Sequence, residues 1–266
     1  MLLVGDYIRD EYVYVSPLGK ASKENIIATR YESKEVFAGG VKAASRHLHG
    51  LCESVRTVFG RRITVKRRFV DPAARKIFEV HEEVEAGETQ AAPDYAEPDL
   101  VIVTDFGHGC ITPQMILEMS DRAKFLAVNA QTNSANHGFN LITKYPRADY
   151  AVVDELEARL AVHDRDGPLE GVIEKLGFPK IAVTRGKDGA LGYDGSFHYA
   201  PAVADKVLDT MGAGDAFFCV TAPFACAGAD MPTLLKIGNA AGAVKCGVIG
   251  HRQSVTREAL LEQLGR

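Results

Sequence analysis

The stretch from residue 99 to residue 186 alternates short apolar runs with helical patterns. The runs are "DLVIVTD", "KFLAVNA", "ADYAVVD" and "KIAVTRG". After the first run, Thr112 and Pro113 in "TPQMILEMSDRA" predict the N-cap and first residue of a helix. Strands without polar alternation are typical of parallel sheets whose two faces are covered. The sequence therefore predicts an α/β fold of three layers, with a mainly parallel sheet between helices.

Two earlier regions, about 11–31 and 62–84, alternate polar and apolar residues and do not fit that sheet. They include "EYVYV" and "NIIATRY", and a predicted hairpin around the turn "DPAA". We expect a small, separate antiparallel sheet inserted into one domain that spans residues 1–266. Residues 86–98, rich in Pro, Gly and Glu, predict a linker or surface loop. Helices are predicted over 213–228, 231–245 and 256–266.

Composition excludes several classes of protein. The chain has 266 residues and a formal net charge of −4, which is unlike a nucleic-acid-binding protein. The basic run "RRITVKRR" at 61–68 is interpreted as a solvated strand face. Neither "MLLVGD" nor "AFFCVTAPFACAGA" fits a signal peptide or the ~20 apolar residues of a membrane helix. Five scattered cysteines without a CxxC pair indicate reduced thiols. We expect a soluble, cytoplasmic protein with no nucleic-acid or membrane partner.

The segment "KVLDTMGAGDAFF" places glycines directly before a predicted helix. Gly212, Ala213 and Gly214 would present backbone N–H groups at the positive end of the helix dipole, which suits a phosphate. Asp215 has two interpretations. It is either the N-cap of the helix or a general base beside the phosphate site. The sequence contains no GxxxxGK[ST], GxGxxG, GxSxG or HExxH motif, which excludes the common alternatives.

The residues Asp209–Asp215, read as DTMGAGD, resemble the DTxGAGD signature of the ribokinase-like (PfkB) carbohydrate kinases. The glycine pair Gly39–Gly40, "VTRGKDGALGYDG" and "NAAGAVKCGVIG" follow in the order of that family, so the resemblance covers nearly the whole chain. Within the family, "VGDYIRDEYVYV", "GKASKENI" and "VTDFGHG" are most similar to the kinase half of bifunctional heptose 7-phosphate kinase / heptose 1-phosphate nucleotidyltransferases.

The resemblance implies an ATP- and Mg²⁺-dependent sugar kinase with a ribokinase-like fold. Asp215 would deprotonate the acceptor hydroxyl, and the glycine segment would hold the γ-phosphate, through Gly212, Ala213 and Gly214. On the sugar side, Asp10 would bind hydroxyls, and Gly39–Gly40 would allow close approach. The small sheet would act as a lid that excludes water.

Further roles follow from the same resemblance. The family's NxxE motif, which acts on Mg²⁺ and phosphate, corresponds to Asp154 and Glu157. The expected nucleotide contacts are Thr184, Gly186, Asn239 and Asp209. A monovalent cation such as K⁺, a homodimer formed through the lid, and a fused or separate nucleotidyltransferase are also compatible with the family.

Several positions depart from the family pattern. Ala43 stands where a sugar-binding asparagine is usual, with Lys42 beside it, and Asp154 replaces the asparagine of NxxE. His108 replaces a lysine, and "NAQTNSANHGFN" replaces Asp-Pro-Lys-Gly. These changes lie on the sugar side. They support phosphoryl transfer more than they support heptose as the acceptor.

Read without the family, several of these residues have ordinary interpretations. Asp10 is a surface carboxylate, Glu157 a solvated helix position, and Gly39–Gly40 a simple helix start. Lys42 is either exposed or a contact to a substrate phosphate. Asp105 ends the strand "DLVIVTD" at the ligand-binding edge, and we treat it as a candidate substrate contact.

Three functions are weighed. The first is a sugar or sugar-phosphate kinase. The alternative is a non-catalytic module that binds sugar or nucleotide, or that partners a nucleotidyltransferase. A nucleotidyltransferase itself ranks last, because the chain has no HxGH-type motif.

Overall fold

The four apolar runs form adjacent parallel strands in one eight-stranded sheet. This computed structural model describes residues 1–73, 75–85 and 93–265. In chain order, the strands of the sheet are β1 (Leu2–Gly5), β4 (Arg56–Val58), β7 (Val101–Asp105), β8 (Leu126–Ala130), β9 (Tyr150–Asp154), β10 (Ile181–Thr184), β11 (Ala190–Tyr193) and β12 (Phe197–Ala200). Their spatial order is β12-β11-β10-β9-β8-β7-β1-β4, and β11 pairs antiparallel with both β10 and β12. The predicted α/β class is confirmed.

Seven α-helices are described, and six of them cover the two faces of this sheet. One face packs against α2 (Pro113–Arg122), α3 (Glu155–Val162) and α4 (Leu169–Leu176). The other face packs against α1 (Val41–His49), α5 (Ala213–Cys226) and α6 (Met231–Cys246), and α7 (Arg257–Leu264) lies on α6. Side chains of β7 alternate between the two cores, with Val101 and Val103 in one and Ile102 in the other. This alternation explains why residues 100–103 of the run are all apolar.

The N-terminal caps follow the local sequence. Thr112 accepts the N–H of Met115 at the start of α2, with Pro113 at the first helical position, as predicted. Short 3₁₀ turns occupy Ile142–Lys144 and Gly186–Asp188.

A second sheet of four strands lies beside the first. It contains β2 (Tyr7–Lys20), β3 (Ile27–Gly40), β5 (Arg62–Val70) and β6 (Lys76–Glu85), in the order β3-β2-β5-β6. The prediction of a purely antiparallel sheet is wrong, because β2 and β5 pair in parallel. The reason is that β1 and β4 are parallel neighbours, and β2 and β5 follow them after short connections.

Two of the crossings of the chain between the sheets lie side by side, and the others run from β4 to β5 and from β6 to β7. Only Asp6 separates β1 from β2, and β3 ends at Gly40, where α1 begins. The N–H of Val41 donates to the carbonyl of Asp6 at 2.9 Å. The Asp6 carboxylate accepts the backbone N–H groups of Phe106 and Cys110, both at 2.9 Å, which fixes the loop after β7 to the same point.

The basic run at 61–68 is not a solvated face, and that interpretation is wrong. Lys66 and Arg68 are buried, with 9% and 8% of their surface exposed. They lie on the inner side of the second sheet, where Arg68 pairs with Asp10. Alternation along a strand therefore points half of this basic run inward.

Two further expectations concern the surface. Residues 86–92 of the predicted linker lie outside the described residues, while 93–99 contain neither helix nor strand, and Tyr95 is buried. Across residues 1–73, 75–85 and 93–265, no helix has the length and apolar character needed to cross a membrane.

Candidate active site

A cavity of about 830 Å³ opens at the carboxyl ends of β8, β9 and β10. Parallel α/β sheets bind ligands at this edge. The cavity is lined by residues from these strand ends, from the hairpin β11–β12 and from the facing helices α5 and α6. Its polar lining includes Asn129, Gln131, Asp154, Glu157, Thr184, Arg185, Lys187, Asp215 and Asn239.

Helix α5 begins at the cavity wall with the predicted glycine segment. Gly212 is the N-cap and has φ 73°, a left-handed conformation that favours glycine. Gly212, Ala213 and Gly214 all line the cavity. The N–H of Ala213 donates to the carbonyl of Thr210 at 3.2 Å, so this amide is already partly engaged. A Cβ built on Gly214 meets no described atom within 4 Å, so this side of the helix start is open.

Asp215 is not the N-cap of α5, and that interpretation is wrong. It lies in the first turn, half-buried, at the cavity wall. Its Oδ1 accepts a hydrogen bond of 2.5 Å from the side-chain amide of Gln131. Burial raises the pKa of the Asp215 carboxyl, and His251 and Lys245 oppose the rise. A carboxylate with a raised pKa near an open cavity has the properties of a general base.

Asp10 lies on β2, where it faces the start of α5 from the sugar side of the predicted site. It is 3% exposed, so the surface interpretation is wrong. One carboxylate oxygen pairs with Arg68, and the other lies 3.2 Å from Nε2 of His251. Burial opposes ionisation, but His251 and Arg68 lower the pKa of Asp10 below its ordinary value. The second sheet thus presents a buried carboxylate whose charge is balanced by the guanidinium of Arg68, with His251 beside it.

The glycine pair Gly39–Gly40 closes this side of the site. A Cβ on Gly39 would lie 2.1 Å from Oδ2 of Asp10, so no larger residue fits beside that carboxylate. Gly40 has φ 54°, and its Cβ would lie 2.3 Å from the carbonyl of Asp6. Gly40 is also the N-cap of α1, so the interpretation of the pair as a helix start holds.

Glu157 and Asp154 form a capping box at the start of α3. Asp154 accepts the N–H of Glu157 at 2.7 Å, and Glu157 accepts the N–H of Asp154 at 2.8 Å. The other oxygen of Glu157 accepts the N–H of Thr132 at 2.9 Å. Glu157 is 8% exposed, so it is not a solvated helix position. Burial and the charge of Asp154 raise its pKa to about 8.

The carboxylates at this edge suit a Mg²⁺ ion that is held mainly by a nucleotide. Within the described residues, no group of three His, Cys, Asp or Glu side chains is placed to hold a metal ion alone. Yet the pKa values of Asp154, Glu157 and Asp215 are all raised, first by burial and further by neighbouring carboxylates. Such uncompensated negative charge favours a cation. Mg²⁺ commonly combines one or two carboxylates with phosphates and water.

The predicted nucleotide contacts divide into two sets. Thr184, Gly186 and Asn239 line the cavity. The amide of Asn239 donates to the carbonyls of Ala200 and Pro201, which fixes the end of β12. Asp209 does not line the cavity. Its carboxylate accepts the N–H groups of Met211 and Gly250 and shapes the loop before α5.

Two predicted sugar contacts lie elsewhere. Asp105 is 1% exposed, and its carboxylate binds Tyr145, Lys144, Asn140 and the N–H of Gly107. Because both oxygens are engaged inside the protein, Asp105 is a structural residue and not a free substrate contact. The ammonium of Lys42 is half-buried and lies 4.4 Å from the centre of the Phe59 ring, a cation–π contact. Ala43 is buried in the core.

Three residues near the site were not singled out from the sequence. Gln131 binds Asp215, His251 lies beside Asp10, and Lys66 lies in electrostatic contact with Asp215. Nδ1 of His251 is buried and finds no hydrogen-bond partner in the described part of the chain. The signal for Gln131 in the sequence was the amide-rich segment "NAQTNSANHGFN". The signal for Lys66 was the alternation of residues in the basic run.

Comparison with known proteins agrees with this geometry. A model of the pfkB family carbohydrate kinases matches residues 51–258. The bifunctional protein HldE of Bradyrhizobium diazoefficiens is 27% identical over 304 aligned residues, which cover 94% of this chain and 60% of that protein. HldE of Shewanella sp. strain ANA-3 is 30% identical over 62% of this chain and 35% of its own length. The chain therefore spans less than two thirds of these relatives.

Solved structures share the fold. The ribokinase of Thermotoga maritima superposes with a TM-score of 0.77 at 18% identity, over 100% of this chain and 99% of that one. The ribokinase of Arabidopsis thaliana, in complex with ribose and ATP, gives a TM-score of 0.71 at 16% identity, over 99% of this chain and 97% of that one. Taken with the family match over most of its length, these findings show that the chain belongs to the pfkB family of carbohydrate kinases.

Proposed function

We propose that this chain transfers the γ-phosphate of ATP to a hydroxyl group of a sugar phosphate. The observation that carries the proposal is the position of Asp215. Its carboxylate lies at the wall of a large cavity, is held by Gln131, and is in electrostatic contact with Asp10. A base between a nucleotide cavity and a buried sugar-binding carboxylate is the arrangement that phosphoryl transfer to a hydroxyl requires.

The proposed reaction is a single displacement. Asp215 takes the proton of the acceptor hydroxyl. The oxygen of that hydroxyl forms a bond to the γ-phosphorus, while the bond between the γ-phosphorus and the bridging oxygen of ADP breaks. The open N–H groups at the start of α5, in the segment Gly212–Gly214, stabilise charge on the transferred group. Mg²⁺, when bound with the nucleotide, neutralises part of the phosphate charge. Glu157 and Asp154 are the residues proposed to hold it, through water or directly.

The nucleotide is proposed to bind in the 830 Å³ cavity. Thr184 and Gly186 would contact it from the end of β10, and Asn239 from α6. Asp209 would act indirectly, because its carboxylate holds the loop before α5. On the acceptor side, Asp10 would bind sugar hydroxyls. Gly39 and Gly40 would leave room for the ring.

A basic cluster supports a phosphorylated acceptor. We define it as Lys66, Arg68, His81 and His108, contributed by β5, β6 and the loop after β7. Burial, together with the charges of Lys66 and His81, lowers the pKa of His108 to about 4. Nε2 of His108 is buried and has no hydrogen-bond partner among residues that the structure describes. Arg68 pairs with Asp10 and Glu79, and His81 pairs with Glu79. Burial and the charge of Arg68 lower the pKa of Lys66, so an anion of the substrate beside its ammonium would stabilise the charged form.

The test is an ADP-release screen with matched acceptors, each supplied as the free sugar and as its phosphate. Heptoses come first because the N-terminal segment resembles heptose phosphate kinases, and hexoses and pentoses follow. We expect a phosphorylated acceptor to give the highest kcat/KM, and Asp215→Asn to abolish it. Nucleotide and sugar binding by calorimetry, combined with no ADP release for any acceptor, would instead support the non-catalytic module.

We also propose that two copies associate through the outer face of the second sheet. Val36, Phe78 and Val80 are 53%, 49% and 41% exposed there, and Phe78 stacks on Phe69 with ring centres 4.3 Å apart. Such an apolar patch on a sheet is typical of an interface. Light scattering should give the mass of a dimer for the wild type and of a monomer for Phe78→Glu.

Two broader proposals follow from the relatives. Because the chain spans 60% of the HldE of Bradyrhizobium diazoefficiens, a nucleotidyltransferase, fused or separate, is proposed as its functional partner. The cytoplasm is the proposed location, since ATP is available there and the five cysteines carry free thiols.

A further inference from the structure

Lys245 is a buried lysine directly behind the phosphate-binding segment. It lies in the last turn of α6 and is 1% exposed. Burial of an ammonium group is costly unless oxygen atoms replace its water shell. The burial of this charge therefore requires an explanation other than the packing of α6 against its neighbours.

The ammonium of Lys245 connects two loops. It donates to the carbonyl of Gly250, in the loop after α6. The N–H of Gly250 donates to Asp209 at 2.9 Å, and Asp209 belongs to the segment that leads into α5. The N–H of Leu208 donates to the carbonyl of Cys246 at 2.8 Å, which adds a second link between the same loops.

Lys245 also lies close to the segment Gly212–Gly214 and interacts electrostatically with Asp215. Its Cε lies 3.4 Å from the position of a Cβ on Gly212, the N-cap of α5. Burial lowers its pKa, whereas the carboxylates of Asp209 and Asp215 raise it, so both carboxylates interact with this ammonium. A fixed cation at this place adds to the positive end of the helix dipole.

The same oxygens would be needed by a bound K⁺ ion. A monovalent cation is held by several carbonyl or carboxylate oxygens. Beside Gly212, the carbonyl of Gly250 is bound by Lys245, and the carboxylate of Asp209 is bound by two backbone amides. An ammonium in contact with this site also repels a second cation. The residues present therefore do not fit a K⁺ site here.

We propose that Lys245 is a positioning residue that supplies a permanent internal cation behind the phosphate-binding segment, so that no added monovalent cation is required. The inference rests on the proposed kinase function only for its turnover readout. Thermal unfolding and nucleotide binding test it independently.

The first experiment uses the unmodified protein. Turnover, the Kd of Mg²⁺ with the β,γ-imido analogue of ATP, and the Tm are each measured in KCl and in N-methyl-D-glucamine chloride, both at an ionic strength of about 0.1 M. We expect each quantity to be the same in the two salts, within about twofold for turnover and Kd. A several-fold activation by K⁺, or a Tm that rises selectively with K⁺, would overturn the proposal.

The second experiment compares Lys245→Met with Lys236→Met, a matched change at an exposed position of the same helix. We expect Lys245→Met to lower turnover about 10²-fold and to weaken binding of the ATP analogue about tenfold, with partial recovery in K⁺. Lys236→Met should match the wild type. Equal behaviour of the two variants contradicts the proposal.

Failure of the proposal for Lys245 can be distinguished from failure of the proposed kinase function. If Lys245→Met does not fold, the salt comparison on the wild type still decides the matter. If no acceptor is ever phosphorylated, the proposed function fails, while Tm and nucleotide binding still report on Lys245.

Discussion

The side-chain amide of Gln131 donates a 2.5 Å hydrogen bond to Oδ1 of Asp215, which links the end of β8 to the first turn of α5. Gln131 also donates to Asn129 at 3.1 Å, and Asn129 donates to the carbonyl of Val152 on β9. The orientation of the proposed base is therefore set by the central sheet itself. A catalytic group held in this way loses little freedom when substrate binds.

Replacement of Asp215 by Asn tests the base directly. The amide retains the size of the carboxylate but cannot accept a proton. We expect kcat to fall by about 10²–10⁴-fold. Binding of the ATP analogue should stay within a few fold, as measured by calorimetry. Asp121→Asn, on the exposed side of α2, is the matched control and should keep full activity. Full activity of Asp215→Asn would refute the assignment of the base.

Lys66 should discriminate between phosphorylated and free acceptors. Its ammonium belongs to the basic cluster and interacts electrostatically with Arg68, Asp10 and Asp215. We expect Lys66→Met to lower kcat/KM for the sugar phosphate by about 10–100-fold, the usual effect of losing one charged contact to phosphate. The free sugar should be affected much less.

Lys76→Met provides the control for that series, because Lys76 is exposed on the neighbouring strand β6. An equal loss with both forms of the acceptor would show that Lys66 serves the reaction in general and not the acceptor phosphate.

The raised pKa of Glu157 predicts how stability depends on pH. Its pKa in the folded protein is about 8, above its ordinary value of 4.5, so the folded state binds this proton more tightly. The associated stability is present below about pH 4.5 and is lost as the pH rises to about 8. We expect Glu157→Gln to gain Tm relative to the wild type between pH 5 and pH 8.

Glu170→Gln, in the exposed first turn of α4, is the matched control and should show no such trend. Mg²⁺ with the ATP analogue should raise the wild-type Tm more at pH 8 than at pH 5, since a bound cation favours the ionised carboxylate. A Tm difference that stays constant over this range would contradict the shifted pKa.

The contact between α5 and α6 gives a prediction for stability. A Cβ on Gly238 would lie 2.4 Å from Cε2 of Phe217, inside the packed interface of the two helices. We expect Gly238→Ala to lower the free energy of unfolding by about 1–3 kcal/mol in urea denaturation. Gly171→Ala, on α4, meets its nearest atom at 3.7 Å and should be neutral or stabilising by up to about 1 kcal/mol.

Features encoded by short segments were predictable from the sequence. The apolar run at 101–105 and the Thr112–Pro113 start of α2 depend on neighbouring residues, and both were predicted correctly. The start of α5 was predicted for the same reason, because glycines directly before an apolar run indicate where a helix begins.

Features that depend on distant partners could not be predicted in this way. The inward side of the basic run depends on Asp10, which is 58 residues from Arg68 in the sequence. Asp105 was expected at the ligand edge, but Tyr145 and Lys144 occupy its carboxylate. The contact between Gln131 and Asp215 joins residues 84 positions apart, and only the folded chain brings them together.

The junction at Asp6 and Gly40 is one end of the long strand pair β2–β3. Two of the crossings of the chain between the sheets lie here, where Val41 binds the carbonyl of Asp6, and the others run from β4 to β5 and from β6 to β7. At roughly 3.3 Å per residue, Asp10 lies about 13 Å from Asp6 along β2, and Lys20 lies about 46 Å from it. If the second sheet rotated about this junction, the far ends of β2 and β3 would therefore move about 3.5 times as far as the carboxylate proposed to bind the sugar.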